Sequence, residues 1–330
     1  MTMDARPLGG LHPMSSLPEA RRTTSPLPPL PPLPAWRVWA LAIRPRTLSL
    51  AVTPVLLGTA LAWAEGGARD WWAFAAALAC ALLIQIATNL HNDAADFERG
   101  TDVEGRIGPL RVAAAGWVSA AVLKRATFAC LGAALALGVF LVERGGWPIL
   151  LAGLASLGAA WAYSGGPRPI SHSAWGEVFV LLFFGLVAVA GSHWLQAGWA
   201  GQLALAPWLA GVVVGLPAAA VLLVNNYRDL EGDCRAGRRT LVARLGRERA
   251  RSVYALLMLL PYAGVAALAL TGETGGRPGA WLALLALPLA LKLVRSLGAQ
   301  PPGAWLNTHL AATAKACSLL GLLLAAGVML

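Results

Sequence analysis

The chain has 330 residues, of which 57% are hydrophobic and 13% charged, with 14 Trp and a mean hydropathy of +0.62. A soluble domain carries about twice that charged fraction, so the composition excludes an ordinary soluble protein. The formal net charge of +10 does not indicate a nucleic-acid partner either, because the cations lie between apolar runs and not on a soluble face.

The first 35 residues differ from the rest. "SPLPPLPPLP" supplies most of their prolines, and such a stretch predicts an extended or disordered tail. It lacks the apolar core of a signal peptide. A single transmembrane domain is expected over 36–330. Nine helices are predicted there, at about 47–64, 71–90, 126–142, 147–163, 176–196, 205–224, 252–271, 279–295 and 307–330. Each is long and apolar enough to span a bilayer. A short amphipathic helix is expected at 117–125, and Gly145-Gly146 and Gly165-Gly166-Pro167 mark joins. The expected fold class is an all-α integral membrane protein, about nine helices around a central lipid-open cavity.

Charge supports this map. With the N-terminus cytoplasmic, 22 of the 26 Lys and Arg fall on the cytoplasmic side and three on the other, while Lys315 lies inside the last helix. That is a strong positive-inside asymmetry. It predicts a cytoplasmic (inner) membrane protein with cytoplasmic motif loops. The four cysteines form no C-x-x-C pair, and three lie within apolar runs, so small buried hydrophobes are expected.

Eight of the sixteen acids gather in just two stretches, 93–104 and 229–233, which follow the second and sixth helices. In "NNYRDLEGDCRAGRRTL" (225–241), Asn225, Asp229 and Asp233 are spaced by four. On a helix they occupy about 80° of arc. In "NLHNDAADFERGTD" (89–102), Asn92, Asp93 and Asp96 span about 100° if the helix continues through them. Oxygen ligands of this kind suit Mg²⁺, and through it a diphosphate. Unneutralised, the clustered carboxylates would repel one another at a membrane boundary. Solvated loop acids paired with arginines are the competing explanation. Two matching arrays on one face favour metal binding by Asn92, Asp93, Asp96, Asn225, Asp229 and Asp233.

The motif pair resembles the membrane-embedded aromatic prenyltransferase superfamily. Within it, "RPRTLSLAVTPVLLGTALA" (44–62), "NLHNDAADFERGTD" with "GPLRVAAAGW", "YSGGPRPI" with "GEVFVLLFFGLVAVAGS", and "NNYRDLEGDCRAGRRTL" are similar to the 1,4-dihydroxy-2-naphthoate polyprenyltransferase branch of menaquinone biosynthesis. One departure stands out. Gly100 holds the position of the last acid in the usual first motif, which leaves Glu98, Asp102 or water for that role.

The resemblance implies a polyprenyl diphosphate and 1,4-dihydroxy-2-naphthoate as substrates, and joining of prenyl and ring with loss of the carboxylate and of diphosphate. It implies catalytic roles for Asp93, Asp96, Asp229 and Asp233. Arg106, Arg111, Arg168, Arg238 and Arg239 are candidate diphosphate partners, since the Arg fork suits phosphate oxygens. Lipid headgroups are the competing partners for the same arginines. Arg44, Arg46 and Tyr163 are candidates for the aromatic substrate. A related enzyme acting on 4-hydroxybenzoate or another acceptor is the alternative. A cation-coupled transporter is the alternative of another class, and it predicts acids at mid-bilayer depth.

Overall fold

The computed structural model describes residues 31, 33–101, 107–198, 205–270 and 276–330. All regular structure among them is helical. A short helix α1 (Ala35–Ile43) leads into α2 (Pro45–Ala64). Then follow α3 (Trp71–Glu98), α4 (Ala120–Ser164), α5 (Gly176–Ala197), α6 (Ala206–Arg235), α7 (Leu241–Leu270), α8 (Pro278–Ser296) and α9 (Trp305–Val328). Helices α2 to α9 are long and apolar enough to cross a membrane.

One of them crosses twice. Helix α4 has 45 residues. Laid straight it would be about 68 Å long, roughly twice the hydrocarbon thickness of a bilayer. Gly146, at φ 67° and ψ −157°, breaks it two residues before Pro148. Both ends of α4 return to the C-terminal part of α3: Lys124 pairs with Glu98, and Ser164 Oγ accepts from Asn92 Nδ2. Arg144, beside the break, pairs with Asp70 at the start of α3. The two limbs, 120–145 and 147–164, are thus a hairpin, and the described residues form the nine predicted spans.

The boundaries differ from expectation in three places. The expected 117–125 and 126–142 helices are one continuous limb from Ala120. Helices α3 and α6 run on through both acidic motifs, to Glu98 and Arg235. Helix α1 was not expected. It stops at Arg44, whose φ of 58° is the one positive value at a non-glycine among the described residues.

Contacts sort the helix ends into two faces. On the motif face, Arg238 reaches Asp96, Arg228 reaches Asn307, and the Arg239 N–H donates to the His172 carbonyl. On the far face, Glu65 holds both His193 and Arg277, while Gln196 bonds the Asp70 backbone and Trp63. Helix α6 is the most buried span. Its Gly211 and Gly215 meet Gly185 in α5, where a Cβ would lie 2.4 Å from the Gly211 carbonyl oxygen. Around this crossing α5 is a π-helix over Leu181–Val187. Small residues let membrane helices approach this closely. Leu57 and Leu61 of α2, Val213 and Val214 of α6, and Leu320 and Leu324 of α9 fill the adjoining core.

Two predictions follow from this packing. Gly185→Leu forces α5 away from α6 and costs about 1–3 kcal/mol, read as a lowered unfolding temperature in detergent. Gly153→Ala, where a Cβ meets nothing within 4 Å, serves as the silent control. At the far face, burial pushes the Glu65 carboxyl up, but the hydrogen bonds and charges of His193 and Arg277 outweigh it and hold the group below its ordinary value of 4.5. The stabilisation is therefore complete above about pH 4.5 and is lost as pH falls through the folded value. Acid melts of the wild type should show this loss, and Glu65→Gln should flatten it.

Candidate active site

A cavity of about 570 Å³ runs inside the bundle between α2, α3, both limbs of α4, α5 and α6. Its middle is apolar, with Leu50, Val55, Leu135, Leu154, Phe179 and Phe183 on the wall. Leu135 and Leu154, both on α4, remain exposed, in keeping with a cavity open to lipid on that side. Its head lies at the motif face. Asn92, Arg111, Asn225, Asn226, Asp229, Asp233 and Arg238 line it there, with Arg44 and Tyr163 beside them.

The continuation of α3 and α6 through the motifs places the two polar faces opposite each other. Arg238 joins them, while Arg111 binds the α3 face and Arg228 the α6 face. Arg111 donates to Asn92 Oδ1 and to Asp96 Oδ2, each at 2.5 Å. Arg238 takes the other Asp96 oxygen at 2.6 Å and stands 3.5 Å from Asp233. Arg238 also donates to Thr101 Oγ at 2.8 Å. Arg228 grips Asp229 with two bonds of 2.7 Å, and also donates to Asn225 and Asn307. Asp96 and Arg228 are 1% and 2% exposed, so these are buried charges that require their partners.

The predicted residues divide into groups. Asn92, Arg111, Asn225, Asp229, Asp233, Arg238, Arg44 and Tyr163 are brought to the cavity wall. Asp96 sits directly behind it, held by two wall arginines. Asp93 is elsewhere: its two oxygens accept the Val112 and Ala113 N–H groups, both at 3.1 Å, and it pins the loop that carries Arg111. Arg46, Arg168 and Arg239 are exposed and do not line the cavity. Arg106 and the candidate ligand Asp102 lie outside the described residues. Sequence reasoning missed Arg228, Asn226 and Glu177. In the sequence Arg228 reads as one of the 22 cytoplasmic-side cations, although it sits between Asn225 and Asp229. Glu177 had a usable signal, an acid opening an apolar run.

His172, in the loop between α4 and α5, lies over this head. Burial, then the charge of Arg238, pushes its imidazole down to about 4, so it is neutral at pH 7. Its carbonyl takes the Arg239 N–H at 2.9 Å, which ties this loop to the second motif.

Among the described residues no group of three His, Cys, Asp or Glu is gathered as a ready-made metal cage. The carboxylates are separated by arginines instead. Their oxygens, with the amides of Asn92 and Asn225, are nevertheless a hard-donor set at a cavity mouth. That fits Mg²⁺, which binds through one or two carboxylates together with substrate phosphates.

The sequence pattern of the UbiA prenyltransferase family matches residues 51–327. The chain belongs to that family. It is 36% identical over 303 residues to a 1,4-dihydroxy-2-naphthoate octaprenyltransferase of Escherichia coli, covering 89% of this chain and 96% of that relative. It is also 36% identical over 255 residues to the enzyme of the same name from Mycobacterium tuberculosis, covering 77% of this chain and 84% of that one. The fold matches a UbiA homologue from Archaeoglobus fulgidus, described as bound to DMAPP and Mg²⁺, with a TM-score of 0.59 and 17% identity over 87% of this chain and 98% of that one. An apo UbiA homologue from Aeropyrum pernix matches with a TM-score of 0.63 and 16% identity, covering 84% of this chain and 96% of that one.

The arginine lattice carries stability as well as charge. Arg111→Ala removes one of the two arginines seen to hold Asp96 and should destabilise the protein by about 3 kcal/mol, the low end for breaking a buried pair. In the double variant Arg111→Ala/Asp96→Ala the two losses should be less than additive. Denaturation of the four proteins in one detergent checks both.

Proposed function

We propose that this UbiA-family protein transfers a polyprenyl group from its diphosphate to 1,4-dihydroxy-2-naphthoate, with loss of the carboxylate. One observation carries the reading. An apolar cavity inside the bundle ends at a head where two acid-amide faces interlace with buried arginines. The relatives named as naphthoate octaprenyltransferases, 36% identical over most of the chain, support the choice of acceptor.

In this reading the prenyl tail fills the apolar body of the cavity and its diphosphate lies at the head. Asn92, Asp96, Asn225, Asp229 and Asp233 would hold Mg²⁺, and Asp93 supports them by fixing the Arg111 loop. Bound there, Mg²⁺ supplies neutralisation of the charge that develops on the leaving diphosphate. Arg111 and Arg238 donate to the same oxygens, exchanging carboxylate partners for phosphate ones. Arg44 and Tyr163 are placed to meet the aromatic acid. Arg46, Arg168, Arg239 and Arg106 serve the membrane surface or approach of the anion.

The bond changes balance without an outside base. The C1–oxygen bond of the prenyl diphosphate breaks, and the pair leaves with diphosphate. A ring π pair from the carboxylate-bearing carbon forms the new bond to C1. The departing CO₂ returns its bonding pair to the ring. The apolar walls keep water from the allylic cation. We place the motif face in the cytoplasm of a bacterial inner membrane, because the arginines cluster on that face.

The test is prenyl transfer by purified protein with a polyprenyl diphosphate, Mg²⁺, and either 1,4-dihydroxy-2-naphthoate or 4-hydroxybenzoate. Decarboxylated prenyl naphthoquinol should form, and EDTA should abolish it. Asp229→Ala should lower the rate by about 10²-fold or more, the scale of losing one charge-stabilising group. Product from 4-hydroxybenzoate alone would move the protein to the neighbouring acceptor. No product from either would refute the reading.

A further inference from the structure

Glu177 opens α5 and is only 4% exposed. Gly176 precedes it where α5 packs on α6, and a Cβ there would come within 3.1 Å of Leu222 Cδ2. Its Oε1 accepts from Asn226 Nδ2 at 2.9 Å. Its Oε2 is buried with no partner among the described residues. A buried carboxyl with one half-satisfied end is costly, and no arginine or lysine is paired with it there. The α3–α6 lattice therefore does not explain it.

The consequence lies in Asn226. This residue lines the cavity head beside Asn225 and one turn before Asp229. The Asn226 amide nitrogen faces Glu177, as an ionised carboxylate, which only accepts hydrogen bonds, requires. The amide oxygen is then left for the cavity. Tyr163 and Ser171 line the same cavity, and Ser171 Oγ is buried without a partner among the described residues. This wall offers neutral polar groups, whereas the α3–α6 face offers charges suited to phosphate.

We propose that Glu177 is a positioning residue that locks Asn226 with its amide oxygen toward the cavity, and that this oxygen accepts a ring hydroxyl of the aromatic substrate. The assignment rests on the acceptor reading above and adds the subsite for the hydroxyl. Asn226 touches substrate, and Glu177 acts through it.

A reversal of the pair tests it. Glu177→Gln can donate to the Asn226 oxygen, so the amide is free to flip. The KM for the aromatic acceptor should rise about tenfold, the scale of one misdirected buried hydrogen bond. The KM for the prenyl diphosphate should stay within about twofold. Asn226→Asp sets two carboxyl groups against each other and should raise the acceptor KM further. The double variant Glu177→Gln/Asn226→Asp lets the new amide donate to one aspartate oxygen and returns the other to the cavity. It should bring the acceptor KM back to within about threefold of wild type. Thermal melts of all four proteins identify any variant that is merely misfolded. Parallel shifts of both KM values, or no rescue in a double variant that melts like wild type, would overturn the positioning role. A wild type inactive with both aromatic acids would instead overturn the acceptor reading, and this proposal with it.

Discussion

Buried carboxylates in an apolar chain require cations, and here arginine supplies them. Asp96 is held from two sides by Arg111 and Arg238, and Arg238 continues toward Asp233. Arg228 does the same for Asp229 and Asn225. Each unpaired ion at this depth would cost several kcal/mol. The ends of α3 and α6 are thereby fastened to each other through Arg238, while Arg111 holds its own loop to α3. The same arginines are the groups a diphosphate would recruit. The lattice is thus both the fastening of the bundle head and a store of phosphate donors, already desolvated and oriented.

The rest of the fold keeps that head in place at the end of an apolar cavity. Glycine contacts bring α5 against α6 and so shape the cavity wall. The Gly146 break returns α4 to the motif face, where Asn92 bonds Ser164. At the opposite face the bundle closes with different chemistry: Glu65 shared by His193 and Arg277, and Gln196 stitched to the Asp70 backbone. The polar chemistry is concentrated at the two faces, and the apolar middle suits a substrate tail that is itself lipid-like.

Much of this was legible in the sequence. Spans of about 17–25 apolar residues separated by arginine-rich or glycine-rich joins give the nine crossings, because membrane thickness sets helix length. The spacing of four in Asn225, Asp229 and Asp233 showed a shared helix face. Other features needed the third dimension. Asp93 and Asp96 are indistinguishable by spacing, and only the return of residues 112–113 assigns Asp93 to the backbone. Arg228 reads as an orienting charge until α9 brings Asn307 to it. Glu177 and Asn226 are 49 positions apart and meet only where α5 packs on α6. Helix α1 was hidden behind the proline run, and its stop depends on the left-handed backbone of Arg44.

The central claim is that the α3 and α6 faces form one clamp for a metal-bound diphosphate. The most direct measurement is a crystal structure with a non-reactive prenyl thiodiphosphate and Mn²⁺ in place of Mg²⁺, located by its anomalous signal. The clamp predicts manganese between Asp96 and Asp229, with Arg111 and Arg238 turned onto the phosphate oxygens. Manganese and diphosphate bound away from these two helix ends, with the arginine–carboxylate lattice intact, would contradict it.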